Sequence, residues 1–217
     1  MNPTKLDHVA FWLADRDAIA SFVTSQLGMH VIDRTDAFTL VGSDARRGKL
    51  TLFAAEGPRE RGALKHVGLR VSRLDGGERS FDLPESLRLE LVEAPTDVEY
   101  DLDHVALFSA DPDATARAYQ SFGFAPAEPG ASGRPRVEVG GAYVEFHPGD
   151  PGDPERPLLN HLAVLVDSAD EHIAAANDLG IEIDDVVDAP NTYAVFLRGP
   201  ERVRIEYVEH KPTFSLR

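Results

Sequence analysis

The 217-residue chain contains no cysteine. That excludes disulfides, thiolate nucleophiles and zinc sites with sulfur ligands. Any metal must be held by imidazole, carboxylate or water. Positive charge is scarce as well: 22 Lys and Arg stand against 37 Asp and Glu, a formal net charge of -15. Nucleic acids and anionic membranes both need basic patches, so neither is expected as a partner. No apolar run approaches the roughly 18 residues of a membrane span. Met1 to Phe11 lacks the basic start and long apolar segment of a signal peptide, and the expectation is a cytoplasmic protein. No glycine-rich phosphate loop and no convincing serine triad is present. What remains is an ordinary globular composition, 42% hydrophobic and 27% charged, in a chain long enough for one large domain or two small ones.

What is there is a repeat. Four short strand-like segments each carry a histidine: Leu6-Asp7-His8-Val9-Ala10-Phe11, Lys65-His66-Val67-Gly68-Leu69, Leu102-Asp103-His104-Val105-Ala106-Leu107 and Asn160-His161-Leu162-Ala163-Val164. Each is aliphatic and bounded by turn formers, as a half-buried strand should be. After three of them the pattern predicts a helix: from about Asp15 to Leu27, from Asp111-Pro112 to Gly123, and from Ser168 to Gly180. Asp, Pro and Ser mark the starts and glycine marks the ends. Each unit closes with a strand, at Leu50 to Ala54, Leu87 to Val92, Ala142 to Phe146 and Val203 to Val208. The second unit has room only for an Asp75-Gly76-Gly77 turn and a turn at Pro84, and reads as a truncated copy.

The fold class is therefore α+β, four βαβββ modules with the second shortened. One such unit cannot bury both faces of its sheet, so the modules must pair into two curved mixed sheets. The expected pairing is first with second and third with fourth. It gives an amino-terminal half, 1–97, and a carboxyl-terminal half, 98–217, with Glu93 to Asp101 between them and Pro148 to Pro157 as a loop inside the second half.

Repetition also points to chemistry. A lone histidine in an alternating strand is usually structural. The same position filled in all four opening strands reverses that reading. In the carboxyl-terminal half, His104 and His161 on opening strands combine with Glu145 and Glu206 on closing strands. Ionised carboxylates among apolar neighbours are costly unless paired or bound to metal. This set suits a divalent Fe, Mn, Zn or Ni ion. The amino-terminal half offers His8, His66 and Glu90, but about Leu52 stands where a fourth donor would be, so this second site is expected to be vestigial. His147, two residues from Glu145 on the same strand face, is a candidate general acid or base; a partly exposed loop histidine is the competing reading. His30, His172 and His210 show no such placement, and His172 is expected on a solvated helix face.

The segments LDHVALF, LNHLAVLV and VRIEYVEH resemble the vicinal oxygen chelate superfamily, which includes glyoxalase I, bleomycin-resistance proteins, methylmalonyl-CoA epimerase and extradiol dioxygenases. The resemblance spans almost the whole chain. Four modules in one polypeptide are similar to the type I extradiol dioxygenases. That likeness implies Fe(II) on His104, His161 and Glu206, a catechol-like substrate chelating it through vicinal oxygens, and dioxygen in the remaining position. His147 or Glu145 then falls near that group's acid/base histidine. The tyrosine expected ahead of the last ligand is Phe196 here; Tyr193 is the nearby candidate, although out of phase with the strand. The His, Glu, His, Glu set of glyoxalase I is similar to His104, Glu145, His161 and Glu206, and implies an isomerase or lyase with a ligand glutamate as base. The bleomycin-resistance likeness implies a non-catalytic drug-binding protein. For partners, the resemblance implies a small molecule with vicinal oxygens, and it allows a homodimer.

Overall fold

A computed structural model describes residues 1–74, 76–77, 79–130 and 132–216. The first module is β1 (Lys5–Leu13), α1 (Arg16–Ser25), β2 (His30–Arg34), β3 (Phe38–Gly42) and β4 (Lys49–Ala54). The second is β5 (Leu64–Val71), β6 (Ser80–Asp82) and β7 (Arg88–Glu93), with a short 3-10 turn at Pro84–Ser86 and no α-helix among its described residues. The third is β8 (Asp101–Ser109), α2 (Pro112–Gln120), β9 (Ala125–Ala127), β10 (Arg136–Val139) and β11 (Ala142–Pro148). The fourth is β12 (Leu159–Leu165), α3 (Ala169–Leu179), β13 (Ile183–Asp188), β14 (Thr192–Arg198) and β15 (Arg204–His210). The four-module α+β architecture is thus the one the repeat implies. Asp75, part of the expected turn in the second module, lies outside the described residues.

The helices start as their caps dictate. Asp15, Asp111 and Ser168 accept hydrogen bonds from the backbone N–H groups of Ala18, Ala114 and Glu171, satisfying donors that have no partner within the helix. Gly180 closes α3 in the left-handed conformation, at φ 66°, where a side chain would be strained. Among the described residues no helix is long and apolar enough to cross a membrane.

The module pairing differs from the sequence expectation. One sheet runs β13-β14-β15-β12-β1-β4-β3-β2 and joins the first module to the fourth. The other runs β6-β7-β5-β8-β11-β10-β9 and joins the second to the third. The junctions are antiparallel pairs of opening strands, β1 with β12 and β5 with β8. Each sheet therefore draws one module from each half of the chain, and the stretch at 93–101 does not separate two sheets. Sequence neighbours are tied by side chains instead. The Glu85 carboxylate accepts from the N–H groups of Ala14 and Asp15, both at 2.9 Å. Glu201 accepts from the Thr115 hydroxyl at 2.8 Å. Both glutamates sit in left-handed turns, at φ 61° and 54°, a strained conformation that such contacts help to hold.

Strand alternation sorts the residues. Val9, Val67, Val105 and Leu162 of the opening strands, with Leu50, Leu52, Leu89, Val144 and Ile205 of the closing strands, lie in one buried core. The intervening residues, the four histidines included, face the other side. Each sheet curls around that second face, giving two cups.

Candidate metal centre

The first cup brings His8 from β1 together with His161 from β12 and Glu206 from β15. Nε2 of His8 lies 3.0 Å from Nε2 of His161, and Oε2 of Glu206 lies 3.1 Å and 3.0 Å from those two atoms. Three donor atoms thus form a nearly equilateral triangle. An octahedral ion with bonds of about 2.1 Å has neighbouring donors about 3.0 Å apart, so the triangle has the size of one face of such a site. Glu206 is 7% exposed, yet its Oε2 makes no properly angled hydrogen bond. An orphaned carboxylate oxygen aimed at two imidazole nitrogens fits a cation between them.

The backbone has a device for aiming these rings. The pairing of β1 with β12 slips by one residue between Leu6 and His8 and again at Asn160, opposite Ala10 and Phe11. The pairing of β5 with β8 slips at Lys65 and at Asp103. All four bulges fall on the residue just before the histidine, where a bulge redirects side chains. In three modules that residue then accepts from the histidine's Nδ1, at 2.9 Å each: Asp7 to His8, Asp103 to His104 and Asn160 to His161. A proton held at Nδ1 leaves the Nε2 lone pair for a metal. Two residues after each histidine comes a small one, Ala10, Gly68, Ala106 or Ala163. At Gly68 a Cβ would lie 2.2 Å from the His104 ring. Sequence reasoning missed these supporting positions. They were visible as columns of the repeat, Asp or Asn before the histidine and Ala or Gly after it.

The second cup gathers His66 from β5, Glu90 from β7 and His104 from β8. Nε2 of His66 stands 2.9 Å from Nε2 of His104 and 3.5 Å from Oε2 of Glu90. Glu90 also accepts from Arg88 Nε at 3.0 Å. Here the residue before the first histidine is Lys65, and His66 Nδ1 is buried without a partner.

The geometry thus regroups the candidates. His104 shares no cup with His161 and Glu206, because β8 pairs with β5 and β11 rather than with β12. His8, expected in a vestigial site with His66 and Glu90, stands instead with His161 and Glu206. Glu206 aligns with Ala163, Glu90 with Gly68 and Glu145 with Ala106, in each case two residues past the histidine. The equivalent in the first module is Thr51, opposite Ala10. Leu52 is one register off and faces the core.

Glu145 belongs to the second cup's sheet but joins neither triangle. It accepts from His147 Nε2 and from Ser132 Oγ, both at 2.6 Å. The His147 ring centroid is 6.2 Å from that of His66, so the pair flanks the second cup. Phe196 lies opposite Glu206 with its ring 5.1 Å from His161, inside the first cup. Tyr193 does not reach it: the strand turns it away, and its hydroxyl donates to Asp170 of α3 at 3.0 Å. His172 is 5% exposed rather than solvated, because its Nδ1 bonds the Ser168 carbonyl and its ring stacks on Tyr207. His210 approaches Asp7 at 3.4 Å, behind the first cup, and His30 pairs at the surface with Glu99.

Electrostatics follow the same division. Burial disfavours a charge on His8, but Glu206 and Asp7 outweigh it and raise its pKa to about 9. Burial lowers His161, with Glu206 opposing. Burial also works against ionised Glu206, yet His161 and His8 hold it well below the usual carboxylate range. In the first cup the ionised Glu206 is therefore balanced by a proton on His8, which a bound cation would displace. Burial and the neighbouring His104 push His66 down to about 3, so it stays neutral, as a metal ligand must be.

Residues 5–102 match the family model described as Glyoxalase/Bleomycin resistance protein/Dioxygenase superfamily. No curated protein matches the chain by sequence. Among solved structures, a protein from Bacillus subtilis assigned as a dioxygenase superposes with a TM-score of 0.77 at 16% identity, over 98% of this chain and 87% of its own. Glyoxalase I from Zea mays gives 0.72 at 14% identity, over 94% and 92%. The cppA protein from Streptococcus pneumoniae gives 0.61 at 14% identity, over 96% and 99%. Identities this low speak for shared architecture alone. The chain thus resembles the glyoxalase/bleomycin resistance protein/dioxygenase superfamily in sequence over residues 5–102 and has the glyoxalase/dioxygenase fold over nearly its whole length.

Proposed function

We propose that the chain is a divalent-metal enzyme with its reaction centre in the first cup, an extradiol-type dioxygenase that opens a catechol-like ring. The observation that carries this reading is the donor triangle of His8, His161 and Glu206, with sides of 3.0 to 3.1 Å. Two imidazoles and one carboxylate on one face favour Fe(II), with Mn as a substitute. Such an ion supplies a Lewis-acidic, redox-active centre with positions open to a chelating substrate and to dioxygen. The chain's own part is to hold the ligands and shape the cup. Asp7 and Asn160 fix the two imidazoles through Nδ1. Phe53 and Phe196 flank His161, with ring centroids at 6.1 and 5.1 Å, and Trp12 packs on Phe53 at 5.3 Å. Aromatic walls of this kind favour a flat aromatic ligand and keep water away from the ligands. Phe196 brings no phenol to move a proton, so turnover is expected to be slow and Phe196→Tyr to accelerate it.

The competing isomerase or lyase reading, with Zn or Ni, needs a second carboxylate as base. In this cup the fourth register position holds Thr51, which cannot serve. Anaerobic reconstitution with Fe(II), followed by air and a panel of catechols, should give oxygen uptake and yellow ring-opened products that Glu206→Ala does not give. If the Fe(II) protein consumes no oxygen with any catechol, while Zn- or Ni-loaded protein isomerises a 2-oxoaldehyde thiol adduct, the dioxygenase reading is wrong.

A further inference from the structure

The second cup is built with as much care as the first, but to another specification. Its two imidazoles are 5% and 6% exposed, with their Nε2 atoms 2.9 Å apart. The His104 ring is seated from three sides. Asp103 takes its Nδ1 proton at 2.9 Å, Tyr143 stacks on it at 4.8 Å and 10°, and Gly68 leaves the space that a Cβ would fill. Glu90 turns one oxygen to His66 and the other to Arg88.

The mouths of the two cups differ in chemistry. Around the first stand aromatic rings. At the second, Arg61, Lys65 and Arg88 line one groove of about 480 Å³ together with Asp82, Glu90 and Phe108, and Arg88 pairs with both of those carboxylates, at 3.3 and 3.0 Å. With Arg88 engaged by the two carboxylates, Arg61 and Lys65 keep the groove net positive in a chain of net charge -15. Lys65 occupies the position that is Asp or Asn in the other three modules, so this module has exchanged a ring-orienting acceptor for a positive charge. Arg61 lies over the face of Phe108 at 4.4 Å, which holds its guanidinium in place by cation–π contact.

We propose that the second cup is an independent site, taking a divalent cation on His66, Glu90 and His104 together with an anionic small molecule, a carboxylate or a phosphate, drawn in by Arg61 and Lys65. The donor cluster supplies the cation's ligands, and the groove beside Glu90 gives the anion its approach. Cationic side chains along such a groove raise the local anion concentration and add charge-assisted hydrogen bonds.

The test uses the full chain stripped with chelator and reloaded with Co(II), whose visible absorption reports its ligands. Elemental analysis should find two ions per chain in the wild type, one after His161→Gln with Glu206→Gln, and one after His66→Gln with His104→Gln. Circular dichroism checks that each variant is folded. In the His161→Gln/Glu206→Gln protein, where the second cup alone is filled, inorganic phosphate should shift the Co(II) spectrum. Arg61→Ala with Lys65→Ala should then weaken phosphate by about tenfold or more, the loss expected for charge-assisted contacts. A single ion in the wild type that disappears with His161→Gln/Glu206→Gln would overturn the cation site while leaving the first cup intact. A Co(II) spectrum indifferent to phosphate, or a response unchanged by the Arg61 and Lys65 substitutions, would overturn the anion site. A single ion in the wild type that survives His161→Gln/Glu206→Gln but disappears with His66→Gln/His104→Gln would instead count against the dioxygenase centre and leave this site standing.

Discussion

Asp7 is the residue on which the first cup rests, and replacing it separates two effects that the structure predicts to be distinct. Its side chain is 1% exposed. One oxygen takes the Lys49 ammonium at 2.7 Å and the His8 Nδ1 proton at 2.9 Å; the other faces His210 at 3.4 Å. Burial would raise its pKa, but Lys49, His210 and His8 hold it well below the ordinary value. Lys49 itself is 3% exposed, so Asp7→Ala strands a buried ammonium. Breaking such a pair costs about 3–5 kcal/mol, which in a chain of this size lowers Tm by about 6–20 °C. The same substitution frees the His8 ring and should weaken metal binding by about 10–100-fold. Asp7→Asn loses the ion pair but keeps an acceptor for Nδ1, the role Asn160 already plays for His161. It should therefore lose stability while holding metal within a few-fold of wild type. Adding Lys49→Met to Asp7→Ala should recover stability but not affinity. Thermal unfolding followed by circular dichroism, with metal titration of each variant, reads both. If Asp7→Ala stays within about 1 kcal/mol of wild type, or Asp7→Asn loses metal as fully as Asp7→Ala, the account of the bulge and its acceptor is wrong.

Three more outcomes are expected. Gly68→Ala would ordinarily gain about 0.4–1 kcal/mol by restricting the unfolded chain, but its Cβ would lie 2.2 Å from an anchored His104 ring. Overpacking of about 1–3 kcal/mol should win, with a lowered Tm and, by elemental analysis, metal lost from the second cup alone. Glu206→Ala should remove the first-cup ion with the circular dichroism spectrum unchanged; retention of that ion would show that the carboxylate is no ligand. The third concerns pH. In the metal-free chain His8 is raised from 6.5 to about 9, so its favourable pairing is fully present below pH 6.5 and is lost as pH rises toward 9. Metal requires the neutral ring, so apparent affinity should climb through the same window, by up to tenfold per unit. A pH-independent metal titration between pH 7 and 9 would contradict this.

Much of this was legible in the sequence because it is local. Helix caps at Asp15, Asp111 and Ser168 and alternation along each strand depend on residues close together in the chain, and the structure follows them. The pairing of modules was not legible. The opening strands LDHVA, LKHVG, LDHVA and LNHLA offer the same alternation and nearly the same apolar edge, so nothing in one of them names its partner. That choice is made by long-range packing, and it moved His8 from a supposed relic into the first cup and His104 out of it. A slip of one residue matters equally: Leu52 and Thr51 are adjacent, but only Thr51 shares the cup face. His172 was misread because α3 buries it against Tyr207, a contact from another strand that no helical period reveals.

The central claim is that a divalent ion sits among His8, His161 and Glu206. Anomalous diffraction at the iron or manganese edge, from crystals of protein loaded anaerobically, tests it without reference to substrate. The account predicts a peak bonded to Nε2 of His8, Nε2 of His161 and Oε2 of Glu206, absent after Glu206→Ala. Loaded crystals with no anomalous density between those three atoms, or with density bonded to other side chains instead, would contradict it.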